Sequence, residues 1–240
     1  MHVAGAKSIA HIAQESGVSK LIHVSHLNAS LDSTSEFYRT KAEGEIAVKE
    51  AFTDATIVRP AVMFGYEDRL LNNMASTFAC DLALCPTVLT WRTVWPIWWK
   101  LNHGQTQIRP VHVMDVAQAL NNLVQLPTLA QTLNLPGPST VTYEYLLDLV
   151  ASITYHPPSR APTVPKAVAL AISKASQAIW WPALSPDEVE RRYINDSKVE
   201  GDWDVVGVAP EEIEPHAITY LRRFRSAYAF PHFVLLRRGY

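Results

Sequence analysis

The runs KLIHVSHL (20–27) and ATIVRP (55–60) are short, continuously apolar in character, and separated by one segment of helical period. Strands with little polar alternation belong in a sheet covered by helices, and a helical crossover between two such strands gives parallel pairing. The expected fold is therefore α/β with a parallel sheet.

Flanking signals extend this pattern. MHVAGAKSIAHIAQESGVSK reads as an amphipathic helix through Ile9, Ile12 and Ala13, stopped by Gly17. It has neither the apolar core of a signal peptide nor the arginine content of a transit peptide. Ser33, with Glu36 three residues on, forms a capping box opening a helix to about Ala51. Pro60 closes the second strand because its ring has no N–H for a ladder. QIRPVHVMDVAQALNNLVQLP (107–127) gives a strand and a helix, with Asp115 placed to bond free N–H groups at the helix start. TLNLPGP (132–138) is a further strand and TYEYLLDLVASI a helix. After the Pro-rich HPPSRAPTVP come an Ala-rich helix at 165–181 and a sharp helix start in SPDEVERRY, with Ser185 as N-cap and Pro186 at N1. APEEIEPHAITYLRRFRSAY is a last helix, acidic at its start and basic at its end.

Composition excludes several classes. The formal net charge is −2, which gives no electrostatic footprint for nucleic acid. Cys80 and Cys85 stand alone, indicating neither a zinc site nor a disulfide framework, and read as two small buried side chains. The apolar stretches TVLTWRTVWPIWWKL and VPKAVALAISKASQAIWWPAL are broken by Arg92, Pro96 and Lys100, and by Lys166 and Lys174, so neither reads as a bilayer span. Trp91, Trp95, Trp98 and Trp99 suit either a lipid- or subunit-facing wedge or a local cluster. The helix at 165–181 is amphipathic enough for a membrane surface or a partner helix. His23 and His112 read as interior histidines rather than metal ligands. Ser25 and His26 are neighbours on a strand and face opposite ways, which rules out a nucleophile–base pair.

The chemistry-bearing stretch is SEFYRTKAEGE (35–45). A Tyr-x-x-x-Lys pair puts both side chains on one helix face, where the ammonium favours phenolate and the phenol exchanges a proton with a carbonyl or alcohol. Here Phe37 occupies the tyrosine position relative to Lys41, and Tyr38 is rotated by about 100° around the helix. The ring is kept and the proton is gone.

KLIHVSHLNAS, FYRTKAEGE, ATIVRPAVMFG and RPVHVMDVAQAL follow the order and spacing of the extended short-chain dehydrogenase/reductases. GVSKLIHVSHLNA, KAEGE, IVRPAVMFGYEDRLLN and SPDEVERRYI resemble more specifically the short-chain-dehydrogenase-like accessory subunit of mitochondrial respiratory complex I. The resemblance covers nearly the whole chain and is weak over 85–104 and the last ten or so residues. It implies a Rossmann-type domain holding NADPH, here residues 1–66 and 106–127, and a smaller, mostly helical part, 67–105 and 128–240, that contacts neighbouring subunits. It implies a structural and assembly role on the matrix side of the inner membrane, near the quinone site, without redox turnover. By position, Lys41 meets the nicotinamide ribose, while Val24, Ser25, Pro60, Ala61 and Val62 line the nicotinamide side. The catalytic serine of active members falls near Leu27, a second departure from their pattern. No catalytic residue and no metal ligand is expected. The enzyme alternative is an active extended reductase or epimerase using Tyr38 or a water. A third is an NADPH-sensing regulatory protein of the same fold outside complex I.

The superfamily opens with a Gly-rich turn that seats the pyrophosphate on a helix N-terminus. The nine glycines of this chain form no such pattern. Its first residues resemble the helix preceding the family's fifth strand, so the sequence is expected to be the C-terminal portion of a longer polypeptide. The strand at 20–27 is then expected to present an open apolar edge, with poor solubility and weak NADPH binding for the chain alone.

Overall fold

The computed structural model describes residues 2–75, 101–155, 163–179 and 185–225. The fold is α/β with a parallel sheet and a mostly helical remainder. Two compact units are present, one from Met1–Phe64, Gln107–Val141 and Glu190–Glu212, the other from Gly65–Thr106, Thr142–Val189 and Ile213–Tyr240.

In the first unit the sheet order is β1 (Ile22–Val24), β2 (Thr56–Pro60), β6 (Thr132–Leu135). All pairings are parallel, with Val24 opposite Val58 and Val58 opposite Leu133. Helix α1 (His2–Glu15) packs on α2 (Glu36–Ala51), and β3 (Met63–Phe64) pairs with β5 (Val111–His112), after the short β4 (Gln107–Ile108). Helix α3 (Val113–Gln125) follows β5. Val58, Val111, Val116, Leu123, Leu133 and Leu135 form the larger core, and Ala10, Val48, Phe52, Ala55 and Ile57 a second one under α1. Each of the valine, leucine, isoleucine and phenylalanine side chains contributes roughly 1.5–3 kcal/mol by leaving water.

Several local expectations change. Helix α1 stops before Gly17, whose φ of +68° is a left-handed turn. Its inward stripe, however, is the buried Ala10 with the half-buried Ala6 and Ala13, small residues on the side of α2, while Ile9 and Ile12 are 65% and 60% exposed. Ser35, not Ser33, caps α2: Ser33 Oγ accepts the Ser35 N–H, and Ser35, in extended backbone, accepts the Tyr38 N–H. Asp115 accepts the Glu211 N–H at 2.8 Å, and His112, the N-cap of α3, makes no side-chain capping bond.

The second unit contains α4 (Tyr143–Thr154), α5 (Lys166–Ile179) and α8 (Ile213–Leu221). Helix α6 (Pro186–Arg191) starts as expected, with Ser185 Oγ accepting the Glu188 N–H at 3.1 Å. The FGYEDRLLN loop is closed by Asp68, whose carboxylate accepts from Gly65, Leu71 and Asn72 N–H groups; its burial raises the carboxyl pKa. Arg223 lies 4.7 Å over the Tyr66 ring and donates to Tyr66 O and Asn72 Oδ1. Among the described residues no helix is long and apolar enough to cross a membrane. The two cysteines and the tryptophans at 91–99 lie outside the described residues.

Candidate functional site

Backbone bonding carries β1 and β2 together past their assigned ends: Ser25 N–H donates to Val58 O at 2.7 Å and Leu27 N–H to Pro60 O at 2.9 Å. Val24 and Ser25 thereby lie beside Val58 and Arg59, with Pro60 and Ala61 two residues further on, at the carboxyl ends of adjacent parallel strands, where open α/β sheets hold their ligands. Val62 continues from this end, its carbonyl accepting the Val111 N–H at 3.0 Å. Ser25 is 5% exposed and its hydroxyl has no hydrogen-bond partner among the described residues. An unsatisfied buried hydroxyl costs about 1–3 kcal/mol, so the site favours an incoming polar atom.

Lys41 reaches the same strand end from α2. Its ammonium lies 3.4 Å from Val24 O and 5.8 Å from the Phe37 ring centroid. Burial lowers its pKa, opposed by Glu45. Glu45 is itself gripped by Arg59 through two bonds of 2.8 and 2.5 Å. No carboxylate among the described residues is within salt-bridge distance of Lys41. The amine is therefore presented to hydroxyl or carbonyl oxygens.

Phe37 shares the face of Lys41 as the spacing requires, and Tyr38 is buried, its ring 4.9 Å from that of His26 and 5.7 Å from that of Phe37. Arg191, at the end of α6, places its guanidinium 4.9 Å over the Phe37 ring. His26 stands edge-on to Phe37 at 5.9 Å, and its Nδ1 accepts the Asn28 N–H at 3.1 Å. Burial, with Arg191 and Lys41 adding to it, pushes its pKa down to about 4. His26 and Ser25 lie past the end of β1 and make no bond to each other.

Sequence reasoning had assigned no role to His26, Asn28 or Arg191. Asn28 ties the loop after β1 to a distant segment: its amide donates to Asp196 at 2.8 Å and accepts the Ser197 N–H at 3.0 Å. Asp196 also accepts the Arg109 N–H at 2.7 Å, and burial raises its pKa. The only advance signal was that these residues sit in VSHLNA and SPDEVERRY, the stretches carrying the family resemblance.

No family model matches the chain. It is 36% identical over 231 residues to the mitochondrial NADH-ubiquinone oxidoreductase 40 kDa subunit of Neurospora crassa, covering 94% of this chain and 56% of that protein. It is 33% identical over 225 residues to the mitochondrial NADH dehydrogenase (ubiquinone) 1 alpha subcomplex subunit 9 of Rattus norvegicus, covering 92% and 55%. The chain thus spans about half the length of these relatives. Among solved structures, a dTDP-glucose 4,6-dehydratase from Streptomyces venezuelae with NAD and TYD bound superposes with TM-score 0.64 at 14% identity, over 97% of this chain and 68% of that one. A dTDP-4-dehydrorhamnose reductase from Bacillus anthracis in complex with NADP gives 0.56 at 16% identity, over 93% and 72%. At such identities the likeness is one of fold.

Proposed function

The chain belongs to the family of mitochondrial NADH-ubiquinone oxidoreductase 40 kDa and alpha subcomplex 9 subunits, and from that premise we propose that it is a non-catalytic, NADPH-binding accessory subunit of respiratory complex I. In this reading it supports assembly and stability of the matrix arm near the quinone site, on the matrix side of the inner membrane. The observation that carries it is Phe37 in line with Lys41, with Tyr38 buried against His26. A lysine without a carboxylate partner and a buried orphan hydroxyl at the carboxyl ends of two parallel strands suit the ribose and ring end of a dinucleotide. Lys41 holds the ribose hydroxyls, Ser25 and Val24 border the ring, and Pro60, Ala61 and Val62 close the other side. The nucleotide's own contribution would be hydride chemistry, for which this chain offers no phenolic acid in line with Lys41.

Contact with neighbouring subunits has a candidate surface in the second unit. Val168 and Ile172, one turn apart on α5, are 46% and 44% exposed. That stripe suits a partner helix or, less specifically, a membrane surface.

The decisive experiment follows the full-length protein on a native gel and measures nucleotide released from the purified complex. Co-migration with complex I and loss of NADPH in Lys41→Ala support the reading. Migration away from the complex, or NADPH turnover by the isolated protein, overturns it.

A further inference from the structure

We propose that His26 is a ligand-binding residue: a neutral imidazole, fixed in the Nε2–H form, that donates a hydrogen bond to an uncharged oxygen at the nicotinamide–ribose end of the bound dinucleotide. This rests on the NADPH reading above and assigns a donor where the missing phenol has left none.

Three observations converge on the ring. Asn28 N–H donates to Nδ1 at 3.1 Å, so Nδ1 is an acceptor and the ring proton belongs on Nε2. The ring is held by aromatic neighbours on α2, Tyr38 at 4.9 Å and Phe37 at 5.9 Å. Among the described residues Nε2 has no hydrogen-bond partner. The Nε2–H beside Phe37 is therefore open to an acceptor from a ligand.

The charges agree with the geometry. Arg191 and Lys41 are the charged groups acting on the imidazole, both positive, and together with burial they keep it unprotonated at physiological pH. A neutral donor selects a carbonyl or hydroxyl oxygen over a cation, and it leaves Lys41 as the charged partner of the ribose. The Asn28 backbone that fixes the tautomer is in turn anchored through its side chain to Asp196 and Ser197, so the donor is preorganised from the far side of the loop.

The test titrates the full-length protein with NADPH and with 2′,5′-ADP, which lacks both the nicotinamide and its ribose. In His26→Phe, which keeps the ring packing and removes the N–H, NADPH affinity is expected to fall about three- to tenfold while 2′,5′-ADP affinity stays unchanged. His26→Gln, which retains an N–H donor at the corresponding reach, is expected to recover part of the loss. Equal weakening for both probes, or no weakening for either, overturns the proposal. Absence of NADPH binding by the wild-type protein overturns the NADPH reading, and this proposal with it. Nitrogen-15 shifts of the imidazole give an independent check: a Nε2–H tautomer at pH 6 is expected, and a Nδ1–H tautomer or a charged ring there contradicts it.

Discussion

At the β6 edge of the sheet the outward N–H and C=O of Asn134 are both taken by Asp202, whose carboxylate accepts at 2.6 Å and whose N–H donates at 2.8 Å. At the β1 edge no strand pairs on the far side among the described residues, and the outward carbonyl of Val24 meets the Lys41 ammonium at 3.4 Å. The assignment of sides follows from the ladder: Gln131 O and Leu135 O bond to β2, as do Leu21 O and Ser25 N–H, so Asn134 and Val24 point away. The closed edge is backed by α7 (Trp203–Val206), with Trp203 buried and its indole N–H on Pro136 O at 2.8 Å. One edge is finished for stability. The other leaves the Val24 carbonyl to the Lys41 ammonium, near the buried Ser25 hydroxyl.

That contrast breaks or sharpens under substitution. Trp203→Ala should cost about 3–5 kcal/mol, because it removes a buried indole and leaves Pro136 O unbonded; urea unfolding measures it, and a loss under 1 kcal/mol would mean the β6 edge is not held there. Asp202→Ala should cost about 1–3 kcal/mol by the same assay, since the Asn134 N–H loses a charged acceptor. Acid should act through the open edge. With its pKa lowered from 6.5 to about 4, His26 takes its proton in the unfolded chain first as pH falls, so stability is lost between those two values. The melting temperature of the wild type should therefore fall more steeply over that window than that of His26→Gln; parallel profiles would remove His26 as the cause. Val24→Lys should leave melting within about 0.5 kcal/mol while reducing association seen by light scattering, because a charged edge resists strand addition. The smallest effect belongs to Phe37→Tyr, expected to leave stability, NADPH content and electron transfer in the assembled complex unchanged; a large change in electron transfer with NADPH unchanged would contradict a purely binding role.

Some of the site was legible from local chemistry. Phe37 and Lys41 share a face because four residues make about one helical turn, whatever surrounds the helix. Ser185 and Pro186 announced α6 through capping chemistry confined to neighbouring residues. Reading failed where a local rule had competitors. Ser33 and Ser35 both offer a hydroxyl to α2, and the ST turn made by Ser33 hands the cap to Ser35. The α1 face was misjudged because isoleucine is the more hydrophobic, whereas close packing on α2 selects the alanines. Asp115 was matched to its own helix, yet the N–H it accepts is 96 residues away.

Period, capping and the order of apolar runs therefore determine the parallel α/β sheet and the Lys41 face, since each depends on interactions over a few residues. Which carbonyls the sheet leaves outward, which hydroxyl is orphaned and which tautomer His26 adopts were decided only in the tertiary structure. Each of these depends on partners brought together by packing, such as Asp202 on Asn134, and such partners have no fixed spacing along the chain.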